Sequence, residues 1–169
     1  MLALTTALAT SFVLCVAPPI DAPMTRGFEP AACEYCAGRR TLEFGGRDAA
    51  TPVAVHAPVD GRVRFAGPVA GTAYVSIEPS ARPGHTVTVG WIPPDPRVFI
   101  GLPTLGRLVR VGDPIGWSAG GTTLSLRSPA GEYQDPTSHL GRIRRRARLV
   151  PADGRRRRPP HRAVCQPLR

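Results

Sequence analysis

Lysine is absent from the 169 residues, so every one of the 22 basic positions is an arginine. Without an ε-amino group the chain cannot be a carrier domain that presents a lysine on a tight turn. Histidine is scarce too, at four residues, and none of them stands in an H-x-H or H-x-x-x-H spacing that would spell a zinc site. Aromatic residues make up only 6%. The longest apolar run, Met1 to Val16, is shorter than the roughly 20 residues a membrane-crossing helix needs. No stretch keeps a helical hydrophobic period over three turns, which excludes a helical domain.

Proline and glycine are abundant instead, at 20 and 18 residues. That composition suits short strands joined by many tight turns, so the expected fold class is all-β, an antiparallel sheet or sandwich with short loops. The exclusive use of arginine reads as GC-rich coding bias rather than selection for guanidinium chemistry. Charge is nevertheless placed unevenly. Gly141 to Arg169 holds 11 arginines against the single acid Asp153, while the residues before it hold 11 arginines and 11 acids. A neutral domain therefore carries a basic tail.

Four parts are expected: an apolar, signal-like segment at 1–22, a lead-in at 23–37, a β domain at 38–141 and an Arg-rich, disordered tail at 142–169. The first part resembles the core of a secretory leader, with small residues at Ala17 and Ala22, each followed by proline, and no basic residue in front. Export would place the chain in an oxidising compartment. Cys33 and Cys36 then form a C-x-x-C for which a structural disulfide, either between themselves or from one of them to Cys165, fits better than zinc or redox chemistry.

Strand patterns fill the β domain. Thr51 to Val55 and Arg62 to Phe65 flank the turn Ala57-Pro58-Val59-Asp60-Gly61 and read as a hairpin, with Val63 and Phe65 on one face. Ala73 to Ile77 and Thr86 to Val89 alternate with period two and read as a second pair. Leu108 to Val111 and Ile115 to Ser118 around Gly112-Asp113 read as a third. In Thr122 to Arg127 the leucines share one face while Thr123 and Ser125 point to the other. A short helical turn is expected at Thr137 to Leu140.

The order RGFEP, GRRTLEF, ATPVAVHAPVDGRVRFAGPVAG, YVSI, TVTVGWI, VRVGDPIGW, LSLR and EYQDPTSHLG resembles the LytM/lysostaphin-type zinc endopeptidases of bacterial cell walls, over about Arg26 to Gly141. The resemblance implies a groove over an antiparallel sheet in which two histidines and one aspartate hold a zinc ion. At the matching positions this chain has Arg39 for the ligand histidine and Glu43 for the ligand aspartate. The H-x-H of the family falls on Gly121 and Thr123, and a helper histidine falls on Trp91. No metal ligand set remains, and Arg39 would repel a dication.

The resemblance thus implies a catalytically degenerate domain without cofactor, exported to the bacterial cell envelope. It would bind peptidoglycan peptide, with Tyr74, Trp91 and Ser125 as groove contacts, or an envelope protein, since degenerate relatives activate wall hydrolases. An active zinc endopeptidase using other ligands is the rival expectation. The basic tail fits an anionic wall polymer or phospholipid surface, and its lack of interleaved aromatics disfavours nucleic acid.

Overall fold

The computed structural model of the protein describes residues 14–33, 35–46, 52–95, 101–144 and 162–164. The strands are β1 (Met24–Arg26), β2 (Leu42–Phe44), β3 (Val53–His56), β4 (Gly61–Val69), β5 (Thr72–Pro79) and β6 (Thr86–Trp91). They continue with β7 (Leu108–Val109), β8 (Pro114–Ser118), β9 (Thr122–Arg127), β10 (Tyr133–Gln134), β11 (Arg142–Arg144) and β12 (Arg162–Val164). One turn of 3-10 helix spans Thr137–His139, where a helical turn was expected.

The main sheet is antiparallel and runs β1-β2-β9-β6-β5-β4-β7, with β10 pairing the far end of β9. Period-two alternation sorts its residues. Ala73, Val75 and Ile77, Val87 and Val89, Leu124 and Leu126, and Leu42 and Phe44 all turn inward and are buried. They pack on Val55, Ala57, Val59 and Ile115, which belong to or flank the small β3-β8 sheet. Fully burying each Val, Leu or Ile contributes about 1.5–3 kcal/mol, so this inner face carries most of the stability. Among the described residues nothing packs as a second layer on the opposite face of the main sheet, here called the open face.

Two expected hairpins are not formed. β3 pairs β8 rather than β4, and β7 pairs β4 rather than β8. The turn between β3 and β4 is instead a crossover between sheets. It is fixed by Val111 N–H donating to Asp60 Oδ1 at 2.7 Å and by Ala57 N–H donating to the carbonyl of Asp113 at 2.8 Å. β4 also departs from simple alternation. Val63 opposes Ile77 but Phe65 opposes Ser76, so one extra residue is accommodated between them. Such a bulge flips the strand's faces; Val63 is buried, and Phe65 emerges on the open face.

The described part of the segment expected as a leader, from Leu14 on, packs against the β domain. Leu14, Val16, Ala17 and Ile20 are all at most 3% exposed and lie in the core. Val16 N–H donates to the carbonyl of His139, and its own carbonyl accepts from Gly141 N–H, both at 2.8 Å. Ala17 N–H donates to Pro58 and His56 N–H to Pro19, again at 2.8 Å. Cys15 is disulfide-bonded. Residues 1–13 lie outside the described residues, and of the segment expected at 1–22 the part from Leu14 packs with the β domain. In the tail, β11 pairs β12 antiparallel, with Arg142 opposite Val164; the arginine run between them lies outside the described residues.

Candidate groove on the open face

Three neighbouring strands build the floor of a groove of about 560 Å³ on the open face. The inward valines and leucines oblige the alternate residues of β5, β6 and β9 to face outward. Their register aligns them in rows. Tyr74 opposes Gly90, which opposes Thr123, which opposes Glu43. In the next row Ser76 opposes Thr88, which opposes Ser125. In the last, Thr86 opposes Arg127, which opposes Tyr133.

The floor is a field of hydroxyls. Ser76 Oγ and Thr88 Oγ1 are hydrogen-bonded at 2.8 Å, and Thr123 Oγ1 donates to the Gly90 carbonyl at 3.3 Å. Gly90 is required here: a Cβ would lie 2.5 Å from Tyr74 Cε1 and 2.8 Å from Thr123 Oγ1. The missing side chain lets the Tyr74 ring lie across the floor. Phe65, delivered by the bulge, and Val69 also line the groove, with Thr41 and Tyr133 completing it. Among the described residues that line the groove none is acidic, and Arg127 is the one charged member.

Arg39, Glu43 and Thr123 are brought together at the β2 edge. Glu43 opposes Thr123, and Arg39 Nε stands 4.0 Å from Glu43 Oε1. Arg26 Nε lies 3.8 Å from the other carboxylate oxygen. Arg39 is held from behind: its backbone exchanges hydrogen bonds of 2.7 and 2.9 Å with Glu29, its Nη1 donates to the Gly27 carbonyl at 3.2 Å, and it pairs with Glu29 Oε2 at 3.6 Å. The pair between Arg39 and Glu43 is long and partly exposed, a geometry worth about 0–1 kcal/mol.

A catalytic zinc takes three His, Cys or carboxylate ligands and an open position. Among the described residues no three such side chains converge. One carboxylate flanked by two guanidiniums does not fit the ion.

The remaining expectations divide. Tyr74 and Ser125 line the groove. Trp91 does not: it follows Val87 and Val89 on the inner face, is 3% exposed, and covers Gly116, where a Cβ would lie 2.3 Å from its Cζ2. Gly121 precedes β9 and is packed against the carbonyls of Phe44 and Gly46. Cys33 and Cys36 form a disulfide, and Cys165 lies outside the described residues. Sequence reasoning missed Phe65, Ser76, Thr88, Arg127 and Tyr133. For Arg127 a signal was present, because it continues the alternation of Thr123 and Ser125.

No protein-family description and no curated protein matches the chain. Solved structures do. Csd3 of Helicobacter pylori superposes with a TM-score of 0.55 at 17% identity, over 75% of this chain and 33% of that one. The catalytic domain of the prophage-encoded M23 protein EnpA of Enterococcus faecalis superposes with a TM-score of 0.53 at 14% identity, over 73% of this chain and 95% of that one. The chain thus spans about a third of the Csd3 chain and nearly all of the EnpA domain. Both are of the LytM peptidase type, and the fold expected from the sequence is the fold found.

Proposed function

Starting from this LytM-type fold, we propose that the chain is a catalytically degenerate, peptidoglycan-binding module of the bacterial cell envelope. Its groove holds wall peptide without cleaving it. The observation that carries the reading is the Arg39–Glu43 corner: guanidiniums stand against the one carboxylate at the edge of an otherwise intact, hydroxyl-lined groove. A cation there opposes a dication electrostatically, while the floor keeps donors and acceptors suited to a peptide backbone. The Arg-rich tail supports a second contact, with anionic wall polymer or phospholipid. Among the described residues no helix is long and apolar enough to cross a membrane.

The test uses the full chain, purified without chelator or tag histidines. Metal analysis is expected to find no stoichiometric zinc, and purified peptidoglycan sacculi are expected to retain the protein. Replacing Thr88 by Val should weaken that retention. One zinc per chain, with release of peptide from the sacculi, would sink the reading.

A further inference from the structure

At the β10 end of the groove two guanidiniums converge on one aromatic ring. Arg127 from β9 lies 4.2 Å from the centroid of Tyr133, and Arg40, just before β2, lies 5.2 Å from the same centroid. Arg127 Nη2 also donates to the Tyr133 hydroxyl. The ring fixes both cations by cation–π contact, which lowers the entropy they would lose on binding a ligand. Neither is neutralised. The ion pairs of the described residues use Arg26, Arg39 and Arg64 with Glu29, Glu43 and Glu78, and none involves Arg40 or Arg127. In the same row of the sheet Glu78 is already occupied by Arg64 and by the backbone N–H of Gly84.

We propose that this end is a subsite for the free terminal carboxylate of a peptide lying along the hydroxyl floor. The inference rests on the groove being a peptide site and adds which end of the peptide is read. A planar guanidinium offers paired N–H groups that match the two oxygens of a carboxylate. The distribution of charge selects the ligand class. Among the described residues lining the groove Arg127 is the single charged one, and these residues present positive charge at one end and neutral hydroxyls elsewhere. That complements a neutral chain with one terminal anion. A polyanion needs cations along its length, and its binding would fall steeply with salt.

The experiment compares N-acetylated tetra-alanine bearing a free carboxylate with its C-terminal amide, each titrated into the full chain and followed by NMR. The free acid is expected to bind about tenfold more tightly than the amide, as one lost charge-assisted hydrogen bond requires. Arg127→Gln should abolish the difference and Arg127→Lys should restore part of it. Arg40→Gln, which touches no β9 ladder bond, should reduce it with the melting temperature unchanged. Equal binding of acid and amide, both weakened by Thr88→Val, would overturn the carboxylate subsite and leave the groove reading standing. If neither peptide bound and sacculi were not retained, both would fall. Stronger, salt-sensitive binding of a phosphate-rich wall polymer, lost in Arg127→Gln, would also overturn it.

Discussion

Removing residues 1–22, as a leader cleaved after Ala22 would, is expected to unfold the domain. The cut deletes Leu14, Val16 and Ile20, all essentially buried. At about 1.5–3 kcal/mol for each buried side chain, the loss is roughly 5–9 kcal/mol before counting the void left behind. Four backbone hydrogen bonds that tie the segment to Pro58, His56, His139 and Gly141 go with it. Domains of this size are stable by about 5–15 kcal/mol in total, and each kcal/mol moves the melting temperature by about 2–4 °C. The shortened chain should therefore melt at least about 10 °C lower or show no cooperative transition in circular dichroism. Cys15→Ser in the full chain separates the effect of the lost disulfide from that of packing. A melting temperature within a few degrees of the longer chain would refute the assignment of residues 14–22 to the core.

Two further expectations follow from contacts on the page. Gly116→Ala sets a Cβ 2.3 Å from Trp91 Cζ2, an overpacking that should cost about 1–3 kcal/mol, read as a lower urea midpoint with an unchanged slope. Burial first, and then Arg82, hold His139 below the ordinary imidazole value, with His85 acting the same way and the Leu14 backbone and Asp135 opposing. The unfolded chain then binds the proton more readily, so stability is full above the unfolded value and falls as pH drops through the folded one. Urea midpoints should decline on acidification below about pH 6.5, and His139→Gln should flatten that decline.

The sheet was legible where alternation is long and regular. Val87, Val89 and the leucines of β9 declare one face, and Thr123 and Ser125 the other. Partners were less so, because an apolar, period-two run such as Val53 to Val55 states that it is a strand and not which strand it meets. Tertiary contacts from Asp60 to Val111 decide that. A single extra residue in β4 moved Phe65 into the groove, and a bulge has no composition mark when neither flanking residue is glycine. Trp91 was misplaced by alignment to a family position although its own parity with Val87 and Val89 put it inside. That Leu14 to Ile20 pack into the core could not be read from hydropathy, since an export signal and a core segment share the same apolar content. At the β2 edge the Arg39 and Glu43 pairing could be proposed only because the family alignment set both at ligand positions of one site. The Arg127–Tyr133–Arg40 stack could not, because β10 must first fold back along β9.

Val16 is clasped between His139 and Gly141 at the far end of the domain. Residues 16–20 are thus held at both ends of the sequence, by Pro58 and His56 early and by His139 and Gly141 late, so this part of the core is complete only when contacts more than 120 residues apart have formed. Such a closure is dominated by distant contacts, and topologies of that kind fold slowly. The groove, built on strands tied together at that junction, would be among the last features of the domain to become rigid.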